Sequence, residues 1–121
     1  MHKINLEEAF SRFSEQWTPH VVGDVNDHQV KVARLEGDFV WHHHENEDEM
    51  FLVLDGELTI RLRDGDVQLS PGELFVVPRG VEHLPVADRG EVRVLLFEPR
   101  ATLNTGNVRD ERTVDEPERL A

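Results

Sequence analysis

Three histidines and four carboxylates crowd into one short segment, His42-His43-His44-Glu45-Asn46-Glu47-Asp48-Glu49, and an outlying histidine, His83, follows a Pro78-Arg79-Gly80 turn. Neutral imidazole and carboxylate are donors that suit a divalent transition metal. The chain has no cysteine, so disulfides and thiolate clusters are excluded and His and carboxylate remain as ligands. Alternation sorts the candidates. On an extended segment His42 and His44 share one face, while His43 and Trp41 point to the other. A tight turn through Glu45 to Asp48 lets Glu49 open the next strand on the face of Phe51 and Val53. Asp48 is the rival carboxylate, but its side chain should point away from that face. Two imidazoles and a carboxylate then converge, and His83 from a separate strand could complete a fourth ligand. One or two positions would stay open on a five- or six-coordinate ion. A His-rich acidic loop can also be a plain solvated turn, so the case depends on a scaffold that carries His83 to the cluster.

The surrounding charge favours cations. Between Glu36 and Glu57 there are eight acidic residues and no Lys or Arg. Such a field raises the local cation concentration and the pKa of nearby histidines. The formal net charge of −12 argues against a nucleic-acid partner, which needs a basic face. No run approaches the ~18 apolar residues that span a membrane. Met1-His2-Lys3-Ile4-Asn5-Leu6-Glu7 lacks the apolar core of a signal peptide, so the expected location is cytoplasmic.

A chain of 121 residues builds one core, burying roughly two-thirds of its unfolded surface. The expected division is an N-terminal helical segment over 1–20, a barrel over 21–100 and a C-terminal arm or tail over 101–121. Asn5-Leu6-Glu7-Glu8 has the form of a capping box. Leu6, Ala9, Phe10, Phe13 and Trp17 recur at helical spacing, predicting a helix over 6–16 that Pro19 ends. From Val21 to Phe97 the period becomes two, clearest where Leu58, Ile60 and Leu62 alternate with Thr59, Arg61 and Arg63. Asp55-Gly56, Asp64-Gly65, Ser70-Pro71-Gly72, Pro78-Arg79-Gly80 and Asp88-Arg89-Gly90 punctuate the run as turns. Many short strands between regular turns mean an all-β sandwich or barrel.

These residues also carry a resemblance. Gly37, His42, His44, Glu49 and Gly56 resemble the first motif of the cupin superfamily, and Gly72, Pro78, Gly80 and His83 resemble the second. The stretch between them, Glu57 to Pro71, is short, as in small single-domain bacterial members. Two positions depart from the family pattern: Gly37 stands one residue closer to His42 than usual, and Ala87 replaces a common Asn. Neither is a ligand position. The resemblance implies a double-stranded β-helix, a small jelly-roll barrel, in which His42, His44, Glu49 and His83 bind one divalent metal: Mn, Fe, Ni, Co or Zn. His43 and His28 are expected outside the ligand set, and Trp41 and Phe39 as packing residues on the outward face. Arg61 and Arg63 are expected as solvated strand arginines.

Fold does not fix function in such a superfamily. The first expectation is a metal-dependent enzyme acting on a small molecule by isomerase, lyase or dioxygenase-type chemistry. The second is a small-ligand or metal-binding module without turnover. No Lys/Arg cluster that could hold a phosphate lies near either motif, and no Asp or Glu outside the cluster stands out as a general base. Met50-Phe51-Leu52-Val53-Leu54 is apolar on both faces, so its outer face needs a cover, either the N-terminal helix or a second copy in a homodimer.

Overall fold

The last strand links the two halves of the barrel. The computed structural model describes residues 2–121, with the order α1 (Leu6–Phe10), β1 (His20–Val25), β2 (His28–Asp38), β3 (Glu49–Asp55), β4 (Leu58–Leu62), β5 (Gly65–Leu69), β6 (Leu74–Val77) and β7 (His83–Pro99). The beginning of β7 pairs with β4, and its end runs between β2 and β3. Asp88-Arg89-Gly90, expected as a turn, are instead part of the continuous strand β7, opposite an irregularity in the pairing between Leu35 and Gly37 of β2. All the ladders are antiparallel, and the main sheet has the order β1-β2-β7-β3-β6. This is the all-β double-stranded β-helix expected from the turn spacing and the motifs.

Alternation places the core as the sequence predicts for β3, where Glu49, Phe51 and Val53 are buried and Met50, Leu52 and Leu54 are half-buried. Phe51 and Val53 join Ala33, Leu35, Ile60, Val92 and Val94 inside the barrel. A second apolar cluster, Ala9, Phe10, Phe13, Val22, Val32 and Leu120, lies outside, with Leu54 at its margin. The N-terminal segment thus covers one end of the outer sheet face. Leu74 and Val76, the cross-strand neighbours of Leu52 and Met50, stay 55% and 45% exposed.

The helix is shorter than its pattern predicts. Asn5 caps it as expected, its side chain accepting from the Glu8 N–H at 2.9 Å. Its end meets Arg34, whose guanidinium donates to the carbonyls of Phe10 at 2.6 Å and Phe13 at 3.0 Å. These contacts satisfy carbonyls left without an intrahelical partner where the helix ends. Phe13 is then free to stack on His20, with ring centroids 3.9 Å apart, and Trp17 adopts a left-handed φ of 58°. The apolar spacing over 6–16 therefore marks one buried face but not one continuous helix.

Residues 101–121 lie against the barrel, with Thr102, Thr105 and Leu120 buried. The Leu120 N–H donates to Val21 O at 2.8 Å and the Val21 N–H to Glu118 O at 2.9 Å. Gly106 has φ 58°, and a Cβ there would stand 2.2 Å from His43 O, so only glycine lets the arm approach the His segment this closely.

Candidate metal centre

Four side chains meet inside the barrel. His83 opens β7 and Glu49 opens β3. His42 stands between strands and is held by an isolated antiparallel bridge to His83. His44 follows two residues later, its carbonyl accepting from the Gly80 N–H of the Pro78-Arg79-Gly80 turn at 2.7 Å. One ligand atom from each of His42, His44, Glu49 and His83 lies within 4.8 Å of the others, and all four side chains are buried. The scaffold thus brings His83 to the segment from which it is separated in sequence.

The polar atoms of the cluster point at a common space. His44 Nε2 and His83 Nε2 stand 3.3 and 3.4 Å from Glu49 Oε1, yet none of the three atoms has a well-aligned hydrogen-bond partner. Buried polar atoms normally find partners, so three orphans around one point fit a site able to hold a cation. His42 Nδ1 and His83 Nδ1 face the carbonyls of Val40 at 2.8 Å and Val81 at 3.0 Å. Donation to those carbonyls fixes the tautomer with an Nε2 lone pair toward the cluster, as in metal-ligating histidines. Burial first, and the neighbouring His83 second, lower the His42 pKa to about 4, so the ring is neutral at neutral pH. Burial alone would raise Glu49; the contacts of His44 and His83 outweigh it and hold the carboxyl below its usual range. The neutral His42 ring and the ionised Glu49 carboxylate are in the protonation states a metal requires.

The neighbours divide as alternation predicts. Asp48 accepts from the Arg79 N–H at 2.8 Å and braces the turn before His83 instead of entering the cluster. His43 Nε2 faces Glu45 at 2.8 Å, and its backbone N–H donates to Asn107 Oδ1 at 2.8 Å. His28 stacks on Phe97, with centroids 5.1 Å apart. Arg63 lies 3.7 Å over the Trp41 ring and bonds Glu82 at 3.2 Å, while Arg61 bridges to Asp66, so neither arginine faces the cluster.

Phe39 departs from expectation. It is buried in the barrel core, stacks on Trp17 at 4.7 Å and meets His42 edge-on at 5.4 Å. β2 ends at Asp38 and the chain re-enters the ladder only at His42, so alternation counted back from the histidines fails across the break.

The expectation that no carboxylate outside the cluster stands out is also corrected. Met50 pairs with Phe97, so the next inward step of that ladder sets Glu49 beside Glu98. Glu98 is 2% exposed, and its nearest cation is the equally buried Lys31, at 3.9 Å. Burial, then the Glu49 charge, push the Glu98 carboxyl well above its usual range. Two adjacent carboxyls in unlike states are a usual source of separated acid and base roles. The signal in the sequence is the parity of Glu98 with Val92, Val94 and Leu96, and of Lys31 with Ala33 and Leu35.

Fold and site together define a double-stranded β-helix with a His/Glu cluster that could bind a metal. Residues 28–98 match the Cupin domain family, and the chain belongs to it. It is similar to the uncharacterised YdbB protein of Bacillus subtilis, with 35% identity over 80 residues, 65% of this chain and 71% of that one. It is also similar to acireductone dioxygenase of Bacillus subtilis, with 32% identity over 80 residues; the match covers 60% of this chain but only 45% of the dioxygenase. Among solved structures, a cupin-2 domain protein of Shewanella frigidimarina superposes with a TM-score of 0.78 and 44% identity, over 80% of this chain and 94% of that one. Hydroquinone 1,2-dioxygenase, solved with Cd2+ and 4-hydroxybenzonitrile, shares the fold with a TM-score of 0.66, at 22% identity over 79% of this chain and 71% of that one.

Proposed function

We propose that the protein is a metal-dependent enzyme acting on a small molecule at a single divalent centre held by His42, His44, Glu49 and His83. The observation that carries this reading is the set of buried, unpartnered donor atoms on His44, Glu49 and His83, with His42 oriented toward them. A divalent ion held by three neutral imidazoles and one carboxylate would keep a charge of about +1 and supply Lewis acidity at its open positions. The chain's own residues do the rest. The carbonyls of Val40 and Val81 orient the His42 and His83 rings, Asp48 braces the turn that presents His83, and the arm closes over His43. Glu98, beside Glu49 and screened from solvent, is a group outside the cluster able to hold or pass a proton.

Among isomerase, lyase and dioxygenase-type chemistry, the last is supported further by the similarity to acireductone dioxygenase of Bacillus subtilis. The test is elemental analysis of untagged protein, followed by oxygen-uptake screening of the metal-loaded form with small oxygenated substrates. One equivalent of Mn, Fe, Co, Ni or Zn with substrate-dependent oxygen consumption supports the reading. Stoichiometric metal with no turnover of any kind would leave a ligand-binding module instead.

A further inference from the structure

Two spaces border the cluster, and they differ in size and polarity. The one beside His42 and Glu49 is about 40 Å³, room for a few waters at most, and the rest of its wall is mainly apolar. The other is a cleft of about 170 Å³ at His44, which is the only one of the four candidate ligands in its wall. The acidic loop contributes Glu45 and Glu47 to this cleft, and the C-terminal arm contributes Ala101, Leu103 and Asn107. No Lys or Arg lines it.

The cleft is held by the fold. The Asn107 N–H donates to His43 O at 3.0 Å and the His43 N–H donates to Asn107 Oδ1 at 2.8 Å, which ties the arm to the His segment beside it. Glu45 meets His43 Nε2 at 2.8 Å. His44 itself is 3% exposed, and neither of its ring nitrogens has a hydrogen-bond partner. Its Nε2 faces Glu49 Oε1 inside the cluster at 3.3 Å. His42 and His83 set their Nδ1 atoms on the carbonyls of Val40 and Val81, whereas the Nδ1 of His44 is unanchored. A ligating imidazole is ordinarily fixed through its second nitrogen. Of the three rings, His44 is therefore the one that turns at least cost.

That arrangement suits a cation on its way inward. A divalent ion travels in water with its hydration shell. At about 30 Å³ of liquid volume per water, the cleft has room for an ion with several waters, and the apolar space beside His42 does not. Carboxylates in the wall raise the local cation concentration. The eight acidic residues between Glu36 and Glu57, with no Lys or Arg among them, extend that field. We propose that the cleft between the acidic loop and the arm is the port through which a divalent cation reaches the cluster. Glu45 and Glu47 receive the hydrated ion, and His44 passes it inward. The port rests on the proposed metal centre, which is its destination.

Rapid mixing of the metal-free protein with Co2+, followed by the visible absorption of the bound ion, gives the uptake rate. Trapping with excess chelator gives the release rate. Ala101→Trp narrows the cleft at an exposed position away from every candidate ligand. It should slow uptake and release several-fold and by the same factor, with affinity unchanged, because a passage alters only the barrier. Glu45→Gln combined with Glu47→Gln should slow uptake about 10-fold at low ionic strength, and the difference should shrink at roughly 1 M salt, where the Debye length is about 3 Å. Glu57→Gln combined with Asp64→Asn removes the same net charge away from the cleft and should slow uptake far less. Wild-type rates in Ala101→Trp, with one Co2+ bound, would overturn the port and leave the metal centre standing. Should that variant fail to fold, the two charge pairs decide: equal slowing by both would overturn the port, since net charge alone would then set the rate. A wild-type protein that takes up no Co2+ would remove the metal centre and the port with it.

Discussion

His42 and His83 are cross-strand partners through their backbones: the His42 N–H donates to His83 O at 3.1 Å and the His83 N–H to His42 O at 2.9 Å. Their rings lie 4.2 Å apart. The same bridge that closes the barrel at this point therefore presets the distance between two candidate ligands. His43, one residue on, is turned toward Glu45 instead. Replacing His42 with Ala should remove most bound metal, at least about 10-fold in affinity, whereas His43→Ala should leave it nearly unchanged. Competition with a chromophoric chelator measures both. Equal losses would show that the two rings do not differ in role.

The metal-free protein should lose stability as it is acidified. His42 has its folded pKa lowered to about 4, against about 6.5 when unfolded. The unfolded chain then binds the proton more readily, so stability is full above about 6.5 and falls as pH drops toward 4. The accumulated loss from this ring is about 3 kcal/mol. Urea denaturation at pH 7 and pH 4.5 after chelator treatment checks it. His42→Phe should flatten the slope between those values, and an unchanged slope would mean that other groups carry it.

How much of this was legible beforehand depended on continuity of the strands. Where a strand is unbroken, as in β3, alternation correctly put Glu49, Phe51 and Val53 inside. It failed at Phe39, because the residues between Asp38 and His42 leave the ladder and reset the count. The helix ends early where Arg34, distant in sequence, satisfies the carbonyls of Phe10 and Phe13. Lys31 and Glu98 are hidden by residue type, because charged side chains are solvated by default. Their parity with the apolar residues of β2 and β7 was the stronger signal. The contacts of the arm with His43 and Val21 have no local pattern that would announce them.

The buried Lys31–Glu98 pair yields a stability prediction of its own. Lys31 lies 3.9 Å from Glu98, whose carboxyl is kept protonated by burial and the Glu49 charge. Lys31→Met should destabilise by about 1–3 kcal/mol, the cost of a buried polar group left without its partner. Lys31→Met combined with Glu98→Leu should recover most of that loss. A double-mutant cycle by urea denaturation reads the coupling; additive effects would show that the two side chains do not act together.

The final prediction concerns the outer face of the main sheet. Met50 and Leu52 are half-buried there, and their β6 partners Val76 and Leu74 are exposed. The helix protects the other end, where Leu54 meets the Phe10 cluster, so burial within one chain is incomplete. An apolar sheet surface of this kind marks an interface. Phe97 and Leu95 of β7 pair with Met50 and Leu52, and so extend the same apolar rows. We propose that a second copy covers it, because two-fold pairing is the simplest way for one patch to bury itself. Light scattering at micromolar concentration should then give about twice the 14.0 kDa mass of one chain. Leu74→Glu and Leu52→Glu should each shift the mass toward the monomer, the partner being unable to bury the new charge without a counter-ion. Glu57→Gln, on the turn before β4, should leave the mass unchanged. A wild-type mass near 14.0 kDa would rule the pairing out, since the patch would then be stable in water as it stands.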